Sequence, residues 1–208
     1  LSAPELTGKK WKQSEIDQAA IANISNLLRW VEELLNFWGE EAPKALRAGG
    51  LGIRDLKDVS SHLGVDEGCA AFVAELAYLS GLVAVDADET IAPTNNFDLW
   101  LTQDFESKWR GLVSLWRLTS RVSGLVGRGD NKSITALGPE LDRVSAATIR
   151  NRVLSELPKE LAPTLDSLIE RIKWLSPLRR GSSMREDLVT WTMQECDWLG
   201  ITGLGALS

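Results

Sequence analysis

Apolar residues along this chain fall mostly three and four positions apart, the period of a helix with one buried face. Ile16, Ala20, Ile24, Leu27, Leu28, Val31, Leu34, Leu35 and Trp38 mark the first and longest such stretch. Ser14 opens it with Asp17 three residues on, which resembles a capping box, and Gly39 and Pro43 stop it. The spacing then predicts a short helix over 54–63 and a turn at Gly64-Val65-Asp66, with Asp66 as helix cap. A second helix follows over 67–80, with Ala70, Val73, Leu76 and Ala77 as its core face. Past Gly81 the pattern changes. Leu82-Val83-Ala84-Val85 and Thr90-Ile91-Ala92 read as two strands joined by the acidic turn from Asp86 to Glu89. Helix, tight turn, helix and hairpin is the winged helix-turn-helix order. A helical hairpin followed by an unrelated strand pair is the alternative.

Further on, Phe105, Trp109, Leu112, Val113 and Trp116 share one helical stripe. Trp100, Trp109 and Trp116 are therefore expected in a core rather than on a base-stacking platform. Residues 123–139 are polar and Gly-rich and read as an exposed, mobile loop. Helices resume over 146–157, closed by Pro158, and over 164–175, closed by Pro177. A third over 183–199 carries Leu188, Trp191, Glu195 and Trp198 along one side, with strand-like Gly200-Ile201-Thr202 behind it. The expected fold is mainly α with small β-hairpins, arranged as tandem winged-helix-like modules. Residues 1–122 would hold the N-terminal helix, the first module and the Trp-rich helix. Residues 123–139 would form the loop, and 140–208 a second module cut off before its wing is complete.

Composition narrows the picture. Of 208 residues, 44% are hydrophobic and 25% charged, a globular balance rather than that of a disordered segment. No run approaches the roughly 20 apolar residues of a membrane span, so no membrane partner is expected. The start at Leu1 has no secretion-signal pattern, which points to the cytoplasm. The missing initial Met and the Gly-rich end suggest a piece of a longer protein. Cys69, Cys196 and His62 are too few and too scattered for a zinc site. His62 and Cys69 are seven apart, but the break at 60–64 separates them, so an exposed imidazole and a buried thiol are expected rather than a catalytic pair.

The net charge of -6 is unevenly spread. Residues 1–57 are neutral, 58–107 carry ten acids and no Lys or Arg, 108–185 sum to +8, and the tail from Glu186 adds -4. Such blocks bear on partners, or on each other.

The motifs that resemble chemistry fall short of it. The run from Gly124 to Ser133 looks like a phosphate-binding loop, but Asp130 and Asn131 separate Gly129 from Lys132. Gly8-Lys9-Lys10 lacks the upstream glycine and the Ser/Thr. No metal, cofactor or catalytic residue is expected, so the chain reads as a non-enzyme. In the first module, Asp66, Glu67 and Glu75 on the second helix and Asp86, Asp88 and Glu89 in the wing turn would repel phosphates. Asp86, Asp88 and Glu89 are instead candidates for docking a basic protein or another domain of the same chain. In the second module Arg179, Arg180, Ser183 and Arg185 sit at the start of the last helix, where amides and the helix dipole favour an anion. With Arg128 and Lys132 of the loop they are the candidate phosphate contacts for DNA. A solvated basic face, or an internal mate for the acidic block, is the competing explanation.

Several stretches carry a family likeness: Ala42-Pro-Lys-Ala-Leu-Arg-Ala-Gly-Gly-Leu-Gly-Ile-Arg-Asp-Leu56, Leu63-Gly-Val-Asp-Glu67, Ala92-Pro-Thr94 and Phe97-Asp-Leu-Trp-Leu101. Glu186-Asp-Leu-Val-Thr-Trp191 and Trp198-Leu-Gly-Ile-Thr-Gly-Leu-Gly-Ala-Leu-Ser208 complete them. In these the chain resembles the actinobacterial helicase-associated domain proteins, related to the non-motor parts of XPB-type DNA helicases. The resemblance implies tandem winged helices from a larger, DNA-associated protein, and brings no catalytic residues with it. The expectation is a non-catalytic module binding DNA weakly through its basic C-terminal half; the alternative is a protein-interaction scaffold using the acidic first winged helix.

Overall fold

The computed structural model describes residues 2–129, 133–175 and 182–208, and of residues 182 and 183 only the backbone. In chain order, strand β1 (Gly8–Lys10) precedes the long helix α1 (Gln13–Glu40), then α2 (Ile53–Leu63) and α3 (Glu67–Leu79). Strands β2 (Val83–Val85) and β3 (Ile91–Pro93) lead to α4 (Asn95–Leu101) and α5 (Phe105–Leu118). After two single-turn 3-10 helices come α6 (Ala146–Glu156), β4 (Leu161–Pro163), α7 (Leu165–Leu175) and α8 (Ser182–Trp198). The last elements are β5 (Thr202–Gly203) and β6 (Ala206–Leu207). The chain is thus mainly helical, with three small antiparallel two-stranded sheets, β1–β4, β2–β3 and β5–β6, among the described residues.

The elements group into two compact units. One comprises Leu1–Asn26 and Ser145–Ser208, the other Leu27–Val144. The sequence-read division at 122 and 139 follows chain order; the units do not, because the N-terminal strand and the first half of α1 belong with the C-terminal helices.

In the Leu27–Val144 unit, Asp66 caps α3 by accepting the Cys69 N–H at 2.8 Å. Gly64 ends α2 in the left-handed conformation that a residue with a Cβ adopts only at a cost. The turn between the two helices is therefore fixed by two short-range signals. What the helical spacing did not convey is the depth of α3. Every residue from Cys69 to Ala77 is buried, not one face alone, with α2, α5 and the 3-10 turn at Ser123–Leu125 packed around it. Trp100 and Trp116 are core residues, as expected, while Trp109 is half-buried.

The 123–139 segment was expected to be an exposed loop; among its described residues 127–129 are exposed, but its two flanks are held down. Leu125 and Ala136 are buried, the Leu51 N–H donates to the Ala136 carbonyl at 2.7 Å, and residues 123–125 form a helical turn. Isolated apolar anchors hold it down, and these leave no period in the sequence.

In the other unit, α1 begins at Gln13, and the Lys12 N–H donates to Glu15 Oε2 at 3.2 Å. Glu15 thus takes the role that the sequence reading gave Asp17. β1 pairs antiparallel with β4, Lys9 opposite Ala162 and Lys10 opposite Leu161. The expected unfinished wing is a closed hairpin: Thr202 pairs with Leu207 and Gly203 with Ala206. Leu204 and Gly205 make the turn, both at positive φ. Gly203 lies directly against α1, where a Cβ would stand 2.0 Å from the Ile16 carbonyl oxygen.

Candidate interaction surface

The acidic hairpin of the Leu27–Val144 unit is built from its turn outward. Asp86 Oδ1 accepts the N–H of Asp88 at 2.9 Å and of Thr90 at 2.8 Å, so this carboxylate organises the turn that follows it. Glu89 sits at φ 59°, which closes the turn. A third extended segment flanks β3: the Ile91 N–H donates to Pro43 O at 2.9 Å and the Ala45 N–H to Glu89 O at 2.7 Å. Between them Lys44 Nζ donates to Asp88 O and Thr90 Oγ1, both at 2.8 Å. Of the three acids expected to face a partner, Asp86 is therefore committed to the turn through one oxygen, and Asp88 and Glu89 are exposed and point their charge outward.

Beside this turn lies a shallow pocket of about 250 Å³, lined by Leu46, Tyr78, Val85, Ile91 and Leu137 among others, with Glu89 and Arg47 on its wall. Leu46, Tyr78 and Val85 are each more than 40% exposed, an apolar group left open to solvent next to two carboxylates.

Of the six expected phosphate-contacting residues, the structure describes the side chains of Arg128 and Arg185. Arg128 is exposed, and Ser183 lies in the first turn of α8. Arg185, expected on the surface, is only 7% exposed, and among the described residues its Nε has no hydrogen-bond partner. Arg179, Arg180 and Lys132 lie outside the described residues.

Much of the basic block is neutralised from within. Arg121 pairs with Glu75, Arg171 with Glu156 at 2.6 Å and Lys173 with Glu186 at 2.5 Å. Arg150 lies 3.5 Å from Glu195 with both side chains 3% exposed, and Arg110 pairs with Glu106. The Glu75 partner belongs to the acidic block itself. Sequence reasoning placed Glu75 among groups that repel phosphate, yet it is a core residue. The signal was available: one carboxylate in the apolar run Ala70-Ala-Phe-Val-Ala-Glu-Leu-Ala77 demands a buried cation.

His62 is exposed and stacks on Phe37, ring centroids 4.3 Å apart. Burial pushes the Cys69 thiol up to about 12, with the Asp66 charge adding to it, and burial raises Cys196 further still. Neither thiol is a nucleophile at neutral pH. Among the described residues no three His, Cys, Asp or Glu side chains converge as metal ligands, and no helix is long and apolar enough to cross a membrane. Compared with protein families, curated proteins and solved structures, the chain finds no match.

Proposed function

We propose that the chain is a non-catalytic binding module of two winged-helix folds, and that it docks a basic protein segment on the acidic hairpin of its Leu27–Val144 unit. The order helix, extended segment, helix, helix, hairpin occurs twice, which is winged-helix order. Residues 27–40, 43–45, α2, α3 and β2–β3 supply the first, and α6, β4, α7, α8 and β5–β6 the second. The helicase-associated likeness of the sequence agrees with this, although a fold alone implies no ligand.

One observation carries the choice of a protein over DNA. α3, the helix a winged helix would lay in a groove, is buried from Cys69 to Ala77, and its open end shows Asp66 and Glu67. The outward charge of Asp88 and Glu89 beside the Leu46–Tyr78–Val85 pocket suits Lys or Arg flanking one apolar side chain. A labelled Lys/Arg-rich peptide with a central Leu tests it by fluorescence anisotropy. Binding is expected to fall with salt, and at least tenfold in Asp88→Lys with Glu89→Lys. Equal binding by that variant overturns the assignment.

A second reading, DNA association through the start of α8, keeps one supporting observation. A buried guanidinium without a partner for its Nε, at a helix N-terminus, suits an anion. Arg180→Glu with Arg185→Glu is expected to weaken binding of a DNA duplex; unchanged affinity sinks it.

A further inference from the structure

We propose that the exposed strand β1 and the residues just past it, in the Leu1–Asn26 and Ser145–Ser208 unit, bind a single strand of nucleic acid that runs along them, lysines on either side holding its phosphates and Trp11 stacking on a base. This rests on neither reading above and uses none of their residues.

β1 is exposed at all three positions, and Lys9 and Lys10 belong to it. Side chains alternate along a strand, so Lys9 and Trp11 share one face while Lys10 and Lys12 share the other. The structure bears this out, with Lys9 Nζ lying 3.6 Å from the centroid of the Trp11 ring. Just past the paired residues the Trp11 N–H donates to Glu160 O at 3.0 Å, and at Glu160, φ 59°, the partner strand bends away, with Lys159 bridging Leu207. Lys12 is exposed. Three ammonium groups, those of Lys9, Lys10 and Lys12, thus fall within four residues of exposed chain.

They differ from the ion-paired cations of the unit. Arg150, Arg171 and Lys173 of the same unit each have a carboxylate within 4.0 Å. Among the described residues Lys9, Lys10 and Lys12 have none. The acids nearby in the chain are Glu5, Glu15, Asp17 and Glu160; Glu15 Oε2 accepts the Lys12 N–H, and Asp17 Oδ1 accepts from Gln13 and Ser208. Exposed cations without counter-ions on a ribbon with an aromatic ring are the elements of a single-strand platform. The cation on Trp11 marks the ring face on which a base would stack, and an arriving base would free that ammonium for the adjoining phosphate. Lys10 and Lys12 recur at roughly 7 Å, two residues of strand, so each can meet a different phosphate. A duplex would gain the phosphate contacts without the stacking, which is why the single strand is favoured.

The test is anisotropy of a fluorescein-labelled 15-mer of deoxythymidine with the whole chain at 50 and 200 mM salt. A duplex of equal length and vesicles of anionic phospholipid serve as competitors. Lys9→Glu with Lys10→Glu and Lys12→Glu is expected to weaken binding at least tenfold. The log–log salt slope should fall by about two, as loss of three contacts to a single strand requires. Trp11→Ala should weaken the single strand several-fold and leave the duplex unchanged. All four side chains lie at least partly open, and circular dichroism confirms that each variant folds. Undiminished 15-mer binding by the triple variant overturns the proposal. So does absence of 15-mer binding to wild type at 50 mM salt, or displacement by vesicles in preference to DNA, which would reassign the face to a membrane surface.

Discussion

Glu75 and Arg121 meet in a forked ion pair, Nε to Oε2 at 2.7 Å and Nη2 to Oε1 at 3.0 Å, with side chains only 4% and 14% exposed. The fork is completed by backbone. The Leu137 N–H donates to Glu75 Oε1 at 2.6 Å, and Arg121 Nη2 donates to Gly138 O at 2.9 Å. Burial alone would pull the Arg121 pKa down, but the hydrogen bonds and charge of Glu75 outweigh it and hold the guanidinium above its usual value. One pair thus ties the buried helix α3 to the 123–139 segment.

Glu75→Ala is expected to destabilise the protein by roughly 3–5 kcal/mol, because it strands a buried cation and an amide. Glu75→Leu combined with Arg121→Met should recover most of that loss, since the desolvation cost of both charges disappears together. Urea unfolding of Glu75→Leu, of Arg121→Met and of the double closes the cycle. Additive losses would show that the two residues are not coupled.

Gly203→Ala is expected to cost about 2 kcal/mol, because its methyl group would meet the Ile16 carbonyl and the Ala20 amide, 2.0 and 2.8 Å away. Both are backbone atoms of α1, which a rotamer change cannot move. For a chain of this size the melting temperature should fall by roughly 4–8 °C. Gly64→Ala, with nothing within 4 Å of its added Cβ, separates this clash from the strain of a positive φ alone.

Asp104 provides the pH dependence. It caps α5 by accepting the Ser107 N–H at 2.7 Å, and that hydrogen bond holds its carboxyl below the usual aspartate value. An acid whose folded pKa is depressed contributes stability that is fully present above its unfolded pKa and is lost as pH falls through the folded one. The gap in melting temperature between wild type and Asp104→Ala should therefore be constant from pH 8 to pH 5 and narrow on further acidification. A gap that widens in acid contradicts the cap.

Much of the helical framework was legible because its boundaries carry local chemistry. Gly64, Asp66 and Gly81 punctuate α2, α3 and β2 within a few residues of where the chain turns. What could not be read depended on distant partners. β1 has no apolar alternation, and its mate β4 lies some 150 residues away, so Gly8-Lys9-Lys10 showed only as a failed phosphate loop. The same holds for the surface. Lys9, Lys10 and Lys12 fall in a segment whose net charge is zero, and only the exposed strand β1 sets them apart from it. Conversely, the large positive sum of 108–185 suggested a basic face, but Arg121, Arg150, Arg171 and Lys173 spend their charge on internal carboxylates.

The interleaving of the two units has a consequence for how the protein is made. Residues 27–144 leave the ribosome as one uninterrupted block with its own core, whereas β1 must wait for its partner β4, some 150 residues later. At 5–20 residues per second, synthesis of the final segment from Ser145 takes on the order of several seconds. Until Pro163 has been added Lys9 and Lys10 have no strand to pair with, so vectorial synthesis completes the core of residues 27–144 before the β1–β4 ribbon can close.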